Sequence, residues 1–201
     1  LFPNRVSEHV KYIATKGAIG TPAKYTSFAG DYQNRAVLRS DWSENAVALH
    51  IQSNSNQKHT HNDDLGVTLM AYGNYLLADP NRYLYVATDD ISNWQISREA
   101  HNSIVVDETE PEKTGGSMHP DNREFNKVYD FIQADSMGYE SQPMNRYVLF
   151  VRPGYYIVTD HLDSTDEESH NYRQNWHFQP NANIEINDSD QVHTGYLTEA
   201  N

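Results

Sequence analysis

The 201-residue sequence contains no cysteine. That excludes disulfides and thiolate metal sites and leaves imidazole and carboxylate as the strong ligands the chain can offer. It also has no cluster of Lys and Arg: 15 basic residues are dispersed among 28 acidic ones, for a formal charge of −13. A field of that sign repels nucleic acid and anionic membrane, so neither is expected as a partner. No stretch approaches the ~18 consecutive apolar residues that a membrane-spanning helix needs. The opening LFPNRVSEHVKYIATKG lacks the basic, apolar and small-residue phases of a signal peptide. A trimmed secreted protein would open the same way, so export stays compatible with the sequence. Neither a fixed-period repeat nor a low-complexity tract is present.

What the chain does have is ten histidines and 14 tyrosines. Imidazoles and flat aromatic faces suit sugar rings, although tyrosine is also simply a good strand residue. The length fits one main domain with a short appendage. Val6, Val10 and Ile13 fall at helical spacing and the pattern stops at Gly17, Gly20 and Pro22, which predicts one short helix. From about residue 30 short β-type runs follow one another: RAVLRS (35–40), NAVALHI (45–51), LGVTLMAY (65–72), NYLLAD (74–79), NSIVVD (102–107), KVYDFIQA (127–134), RYVLFV (146–151), YYIVTDHL (155–162), YRQNWHF (172–178) and NIEIN (183–187). This spacing predicts an all-β, antiparallel sandwich. Gly73-Asn74 and Pro153-Gly154 read as hairpin turns, and 106–124 reads as a long polar surface loop. The expected organisation is residues 1–22 as the tail of a preceding helical domain and 23–201 as the β domain, incomplete at its C-terminal end.

Chemistry concentrates in HTHNDDLGVTLMAYGNYLLADPNRYLY, residues 59–85. In an extended chain His59 and His61 point to the same face, about 7 Å apart at ~3.3 Å per residue. A turn after LGVTLMAY returns NYLLAD alongside it and so brings Asp79 back beside His61. His101 stands at the entrance to another strand. Two imidazoles and a carboxylate suit zinc, whereas the plainer reading is hydrogen-bonded histidines at strand ends. Trp42, Trp94 and Trp176 read as packing anchors; His50, His161, His170 and His177 read as structural histidines; DSTDEESH (163–170) reads as a solvated acidic turn.

Three ordered segments, RSDW (39–42), the 59–85 stretch and WQISREAHNSIVVD (94–107), resemble the C-terminal β-sandwich of the heparinase II/III-like polysaccharide lyases, a group that includes heparinases and alginate lyases. The resemblance covers roughly residues 25 to 180, and three motifs in order are far more specific than one. It implies that His61, Asp79 and His101 bind a structural zinc ion. It implies that His59 faces the substrate in a catalytic or charge-neutralising role, with Tyr85 as the cleft tyrosine and Tyr83 as its neighbouring candidate. Arg82 and Arg98 are the candidates for a bidentate contact to a uronate carboxylate. Asn81 departs from the family pattern, which often has Gly there; Asn also tolerates positive φ.

The activity implied is β-elimination on a uronic-acid polymer, in a bacterial periplasmic or secreted setting. Such an enzyme neutralises the carboxylate, removes the proton beside it and protonates the leaving oxygen. The family's main tyrosine and a further histidine or asparagine lie on a helical toroid domain, so this segment is expected to be inactive alone and to have that domain as its partner. A non-catalytic carbohydrate-binding or scaffold sandwich would share the metal triad but has no reason to aim His59 at a cleft. A cupin-like oxygenase wants a Glu shortly after the second His, whereas Asp63 and Asp64 follow here and no Glu occurs until Glu99.

Overall fold

The computed structural model describes residues 6–32, 34–53, 61–80, 89–113, 115–180 and 182. One short helix, α1 (Glu8–Ala14), precedes five strands: β1 (Phe28–Gly30), β2 (Arg35–Arg39), β3 (Ala48–Gln52), β4 (Val67–Ala71) and β5 (Asn74–Leu77). Helix α2 (Asp90–Ile96) and a 3-10 turn (Arg98–Ala100) lead into β6 (Ile104–Val106). Then come β7 (Met118–Phe125), β8 (Tyr129–Ser136), β9 (Met144–Val151), β10 (Tyr155–Leu162) and β11 (Tyr172–Gln174). Strands β1 to β5 form one antiparallel sheet in sequence order, β10-β9-β8-β7 form a second, and β11 pairs with β6. The expected antiparallel sandwich is therefore the fold.

Strict alternation makes the two main sheets face each other. In β9 every second residue is buried from Met144 to Phe150, and β2 buries Ala36 and Leu38. Leu38, Leu49, Ile51 and Val67 from one sheet meet Ile132, Met144, Val148 and Phe150 from the other, all at 0 or 1% exposure. Each such side chain contributes about 1.5–3 kcal/mol of burial.

One charged group crosses this core with every contact made. Arg146, on β9, is fully buried and grips Asp160 through two bonds of 2.7 and 2.8 Å. Its Nη1 donates to the carbonyls of Leu65, 2.7 Å, and Asn102, 2.8 Å. The second sheet thereby holds the segment before β4 and the residue after His101 in fixed positions.

Several expectations are corrected. Residues 118–125 are not loop but the edge strand β7, whose register with β8 shifts between Met118 and Arg123. A mostly exposed edge strand carrying Pro120 needs no apolar alternation, so its sequence looks like loop. The β4–β5 turn is Tyr72-Gly73, one residue earlier than expected, since Ala71 pairs with Asn74. Both turn residues have positive φ, 53° and 79°, as a two-residue hairpin loop matched to strand twist requires. Helix α2 and strand β1 carry too little periodicity to be read; the one local sign of α2 is Asp89, whose side chain accepts from Ser92 N at 2.7 Å. The NIEIN run lies outside the described residues. Helix α1 is present, capped by Ser7, and buries no residue among those described; Val10 and Ile13 are half exposed.

A polar clamp closes the far loop. His170 Nδ1 meets Asp107 at 2.6 Å and Nε2 meets Asp166 at 2.8 Å. The hydrogen bonds that His170 donates to Asp107 and Asp166 raise its pKa above the ordinary value, and the same contact lowers Asp166 to about 2. A raised histidine contributes stability that is complete below its unfolded value of about 6.5 and is lost as pH rises through the folded value. The loss of melting temperature caused by His170→Asn is therefore expected to be larger at about pH 5.5 than at about pH 8.5. Thermal melts of both proteins at the two pH values check this; an equal difference at both would show that the clamp carries no charge.

Candidate functional site

The segment from His61 to Gly66 turns tightly into β4. Asn62 N donates to Ile96 O at 2.8 Å and Gly66 N to Asp63 O at 2.8 Å. Leu65 takes φ of 61°. A Cβ on Gly66 would lie 2.6 Å from the Asp63 carbonyl, so only glycine fits that approach. Across from it, Asn102 uses its whole amide group. Nδ2 donates to Val67 O and Ala78 O, each at 2.8 Å, and Oδ1 accepts from His177 N at 2.5 Å. These bonds bring the ends of β4 and β5 to the residue that follows His101.

The result is a convergence of His61, Asp63 and His101, one ligand atom of each lying within 4.8 Å of the others. The two imidazole centroids are 5.3 Å apart. His101 is fully buried, its Nδ1 is 2.9 Å from Asp79 Oδ2, and its Nε2 is buried with no hydrogen-bond partner among the described residues. A buried polar nitrogen left unpaired costs about 1–3 kcal/mol. Two imidazoles and a carboxylate around it fit a borderline divalent ion such as zinc.

The expected trio is thus partly rearranged. His61 and His101 come together, and Asp79, which the hairpin was expected to bring beside His61, meets His101 Nδ1 instead. The carboxylate within common reach of both histidines, however, is Asp63, which the sequence reading passed over. Its signal was its place two residues after His61, on the same turn. Gln52 Nε2, at the end of β3, donates to Asp63 Oδ2 and fixes the carboxylate there. Asp79 stands at the other ring nitrogen of His101, where a carboxylate holds a histidine in one orientation.

Arg98 needs correction. Instead of reaching into a cleft its guanidinium is fully buried. Nη1 donates to Asp64 O at 2.6 Å and Ser103 Oγ at 3.0 Å, and Nη2 lies 3.8 Å from the Asp64 carboxylate. Desolvation pushes its pKa down, and a Cβ at Gly138 would come 2.8 Å from Nη2. Arg98 organises the loop under the site and is not offered to a ligand. His59, Arg82, Tyr83 and Tyr85 lie outside the described residues.

Residues 36–200 match the family described as Heparinase II/III-like, C-terminal. The chain belongs to that heparinase II/III-like family. Among curated relatives it is 22% identical over 175 residues to a heparin-sulfate lyase of Bacteroides stercoris, covering 85% of this chain and 26% of the relative. Among solved structures it is similar to heparan sulfate lyase HepC from Pedobacter heparinus, with TM-score 0.83, 22% identity, and coverage of 92% of this chain and 29% of that one. A heparinase III structure matches with TM-score 0.79 and 20% identity, over 94% of this chain and 30% of that one. This heparinase-like chain therefore spans between a quarter and a third of the length of these relatives, and the shared part is the sandwich.

Proposed function

We propose that the chain is the β-sandwich part of a polysaccharide lyase that cleaves a uronic-acid polymer by β-elimination. In this reading His61, Asp63 and His101 hold a zinc ion, and Asp79, which the resemblance implied as a ligand, instead meets His101 Nδ1. The observation that carries it is the convergence of ligand atoms of His61, Asp63 and His101 within 4.8 Å, with His101 Nε2 buried and without a hydrogen-bond partner among the described residues, in a chain of the heparinase II/III-like family. The bound ion would supply fixed positive charge and lock the turns around it.

The chain's own residues do the rest. Asp79 sets the ring of His101, Gln52 sets Asp63, and Asn102 and Arg146 hold the strand ends that carry them. His59, two residues before His61 in the sequence, is assigned to the substrate side, where an imidazole neutralises a carboxylate or moves a proton near neutral pH. Tyr85 is assigned to the proton steps with it, and Arg82 and Tyr83 to substrate contact. The remaining catalytic groups belong to a helical domain preceding α1, against whose half-exposed Val10 and Ile13 that domain packs.

Substrate choice follows from charge. A densely sulfated chain calls for clustered Lys and Arg, and this domain disperses 15 basic residues among 28 acidic ones. The full-length protein is expected to turn over alginate and unsulfated heparosan-type chains faster than heparin at matched ionic strength, with no turnover from residues 1–201 alone. Initial rates of unsaturated uronate formation test this; heparin cleaved fastest would overturn the charge argument, and activity in the isolated segment would show the active site misplaced.

A further inference from the structure

The outward face of the β1–β5 sheet leads directly to the His61–Asp63–His101 cluster. Residues paired across antiparallel strands share a face, as do residues two apart on a strand. Pairing of Phe28 with Val37, Val37 with His50 and His50 with Thr68 makes one outward row. Arg35 and Gln52 pair in the next. The intervening Ala36, Ile51 and Val67 are buried in the core, which fixes this face as the outer one. Gln52 is the residue whose amide holds Asp63, so Arg35 sits one strand spacing, about 5 Å, from the side chain that touches the cluster.

Arg35 is exposed and makes no ion pair among the described residues, unlike Arg98 and Arg146, which are consumed inside the fold. Its charge, after burial, is what holds the neighbouring His50 below its ordinary pKa, while Asp79 acts in the opposite direction. Arg35, His50 and Asp79 therefore share one electrostatic neighbourhood. Further along the same face Phe28, Val37, Arg39 and Trp42 line a mostly apolar hollow of about 410 Å³. A cation beside the cluster and an aromatic shelf beyond it match a polymer that alternates acidic groups with apolar sugar faces.

We infer that this outward sheet face is a wall of the substrate groove and that Arg35 is the guanidinium on it that binds an acidic group of the polymer. The inference rests on the uronate-polymer reading above and supplies the carboxylate-binding arginine that Arg98 does not provide. In the acidic background of the chain, Arg35, with Arg39 stacked 4.6 Å over Trp42 further along the face, gives the polymer a local site of opposite sign.

The test uses full-length protein as wild type, Arg35→Ala and Arg35→Lys. Binding to an immobilised heparosan-type chain is measured at graded salt, and KM and kcat are measured on the same polymer. Arg35→Ala is expected to weaken binding and raise KM about tenfold, to leave kcat within about twofold, and to flatten the salt dependence. Arg35→Lys recovers part of the affinity, because it restores the charge without the planar fork. Unchanged affinity and salt dependence in Arg35→Ala would overturn the inference. So would a fall in melting temperature that accounts for the lost affinity and is not rescued by lysine. A wild type that binds the polymer in an Arg35-dependent way but does not cleave it would sink the lyase reading and leave Arg35 standing; a wild type that does not bind it at all would remove the assignment of Arg35.

Discussion

His101→Ala in the full-length protein is expected to strip the bound divalent ion to below a tenth of the wild-type content and to lower lyase turnover roughly 100-fold or more. His101 is the residue on which the site turns. It is fully buried, its Nδ1 lies against Asp79, and its Nε2 is the buried nitrogen with no partner among the described residues. Elemental analysis of protein purified without added metal, with a melt in the presence of a chelator, reads the first effect, and unsaturated uronate formation reads the second. The carboxylates separate in the same assay. Asp63→Asn removes the oxygen within common reach of both histidines, and Asp79→Asn removes the group that meets His101 Nδ1, a change of the kind that costs about 10–100-fold in metal affinity. Wild-type metal content in His101→Ala would end the metal assignment.

The second large effect is on stability. Arg98→Met is expected to cost about 3–5 kcal/mol, because it leaves the buried Asp64 carboxylate without its guanidinium. For a domain of this size that is a melting-temperature loss on the order of 10 °C. Within the fold the Asp64 carbonyl and Ser103 hydroxyl accept from Nη1, Nη2 lies 3.8 Å from the Asp64 carboxylate, and the Tyr139 ring lies 5.7 Å from Cζ. Denaturant unfolding of the two proteins measures the difference. A loss below about 1 kcal/mol is the signature of an exposed arginine and would return Arg98 to the cleft. The double variant Arg98→Met with Asp64→Leu should recover part of the loss, since it leaves no uncompensated buried charge, although Gly115 N loses its acceptor.

Sequence alone carried the sandwich because its central strands alternate strictly. RYVLFV and KVYDFIQA reappear in β9 and β8, with every second residue of those strands buried. It failed where alternation is not required. Strand β7 lies at an edge with a shifted register, and its MHPDNREF is polar because solvent covers most of it. At the site, the resemblance named His61, Asp79 and His101, and the hairpin pointed to Asp79 near His61. They did not order the carboxylates, because which oxygen faces both imidazoles depends on the turn that Leu65 and Gly66 make and on the amide of Gln52. Arg98 was misread for a related reason: a guanidinium beside a histidine motif looks like a ligand group until its partners, Asp64 and Ser103, are known to be inside the fold. Arg35, by contrast, looks in the sequence like any strand-end charge, and only the pairing with Gln52 puts it next to the cluster.

The lyase reading is tested by the chemistry of the products. Full-length protein incubated with a uronic-acid polymer is predicted to release oligosaccharides whose new non-reducing ends are unsaturated uronates, each one water lighter by mass spectrometry than the hydrolysis product and absorbing in the ultraviolet. Saturated ends carrying the added water, or no cleavage of any uronic-acid polymer by metal-replete full-length protein, would contradict it.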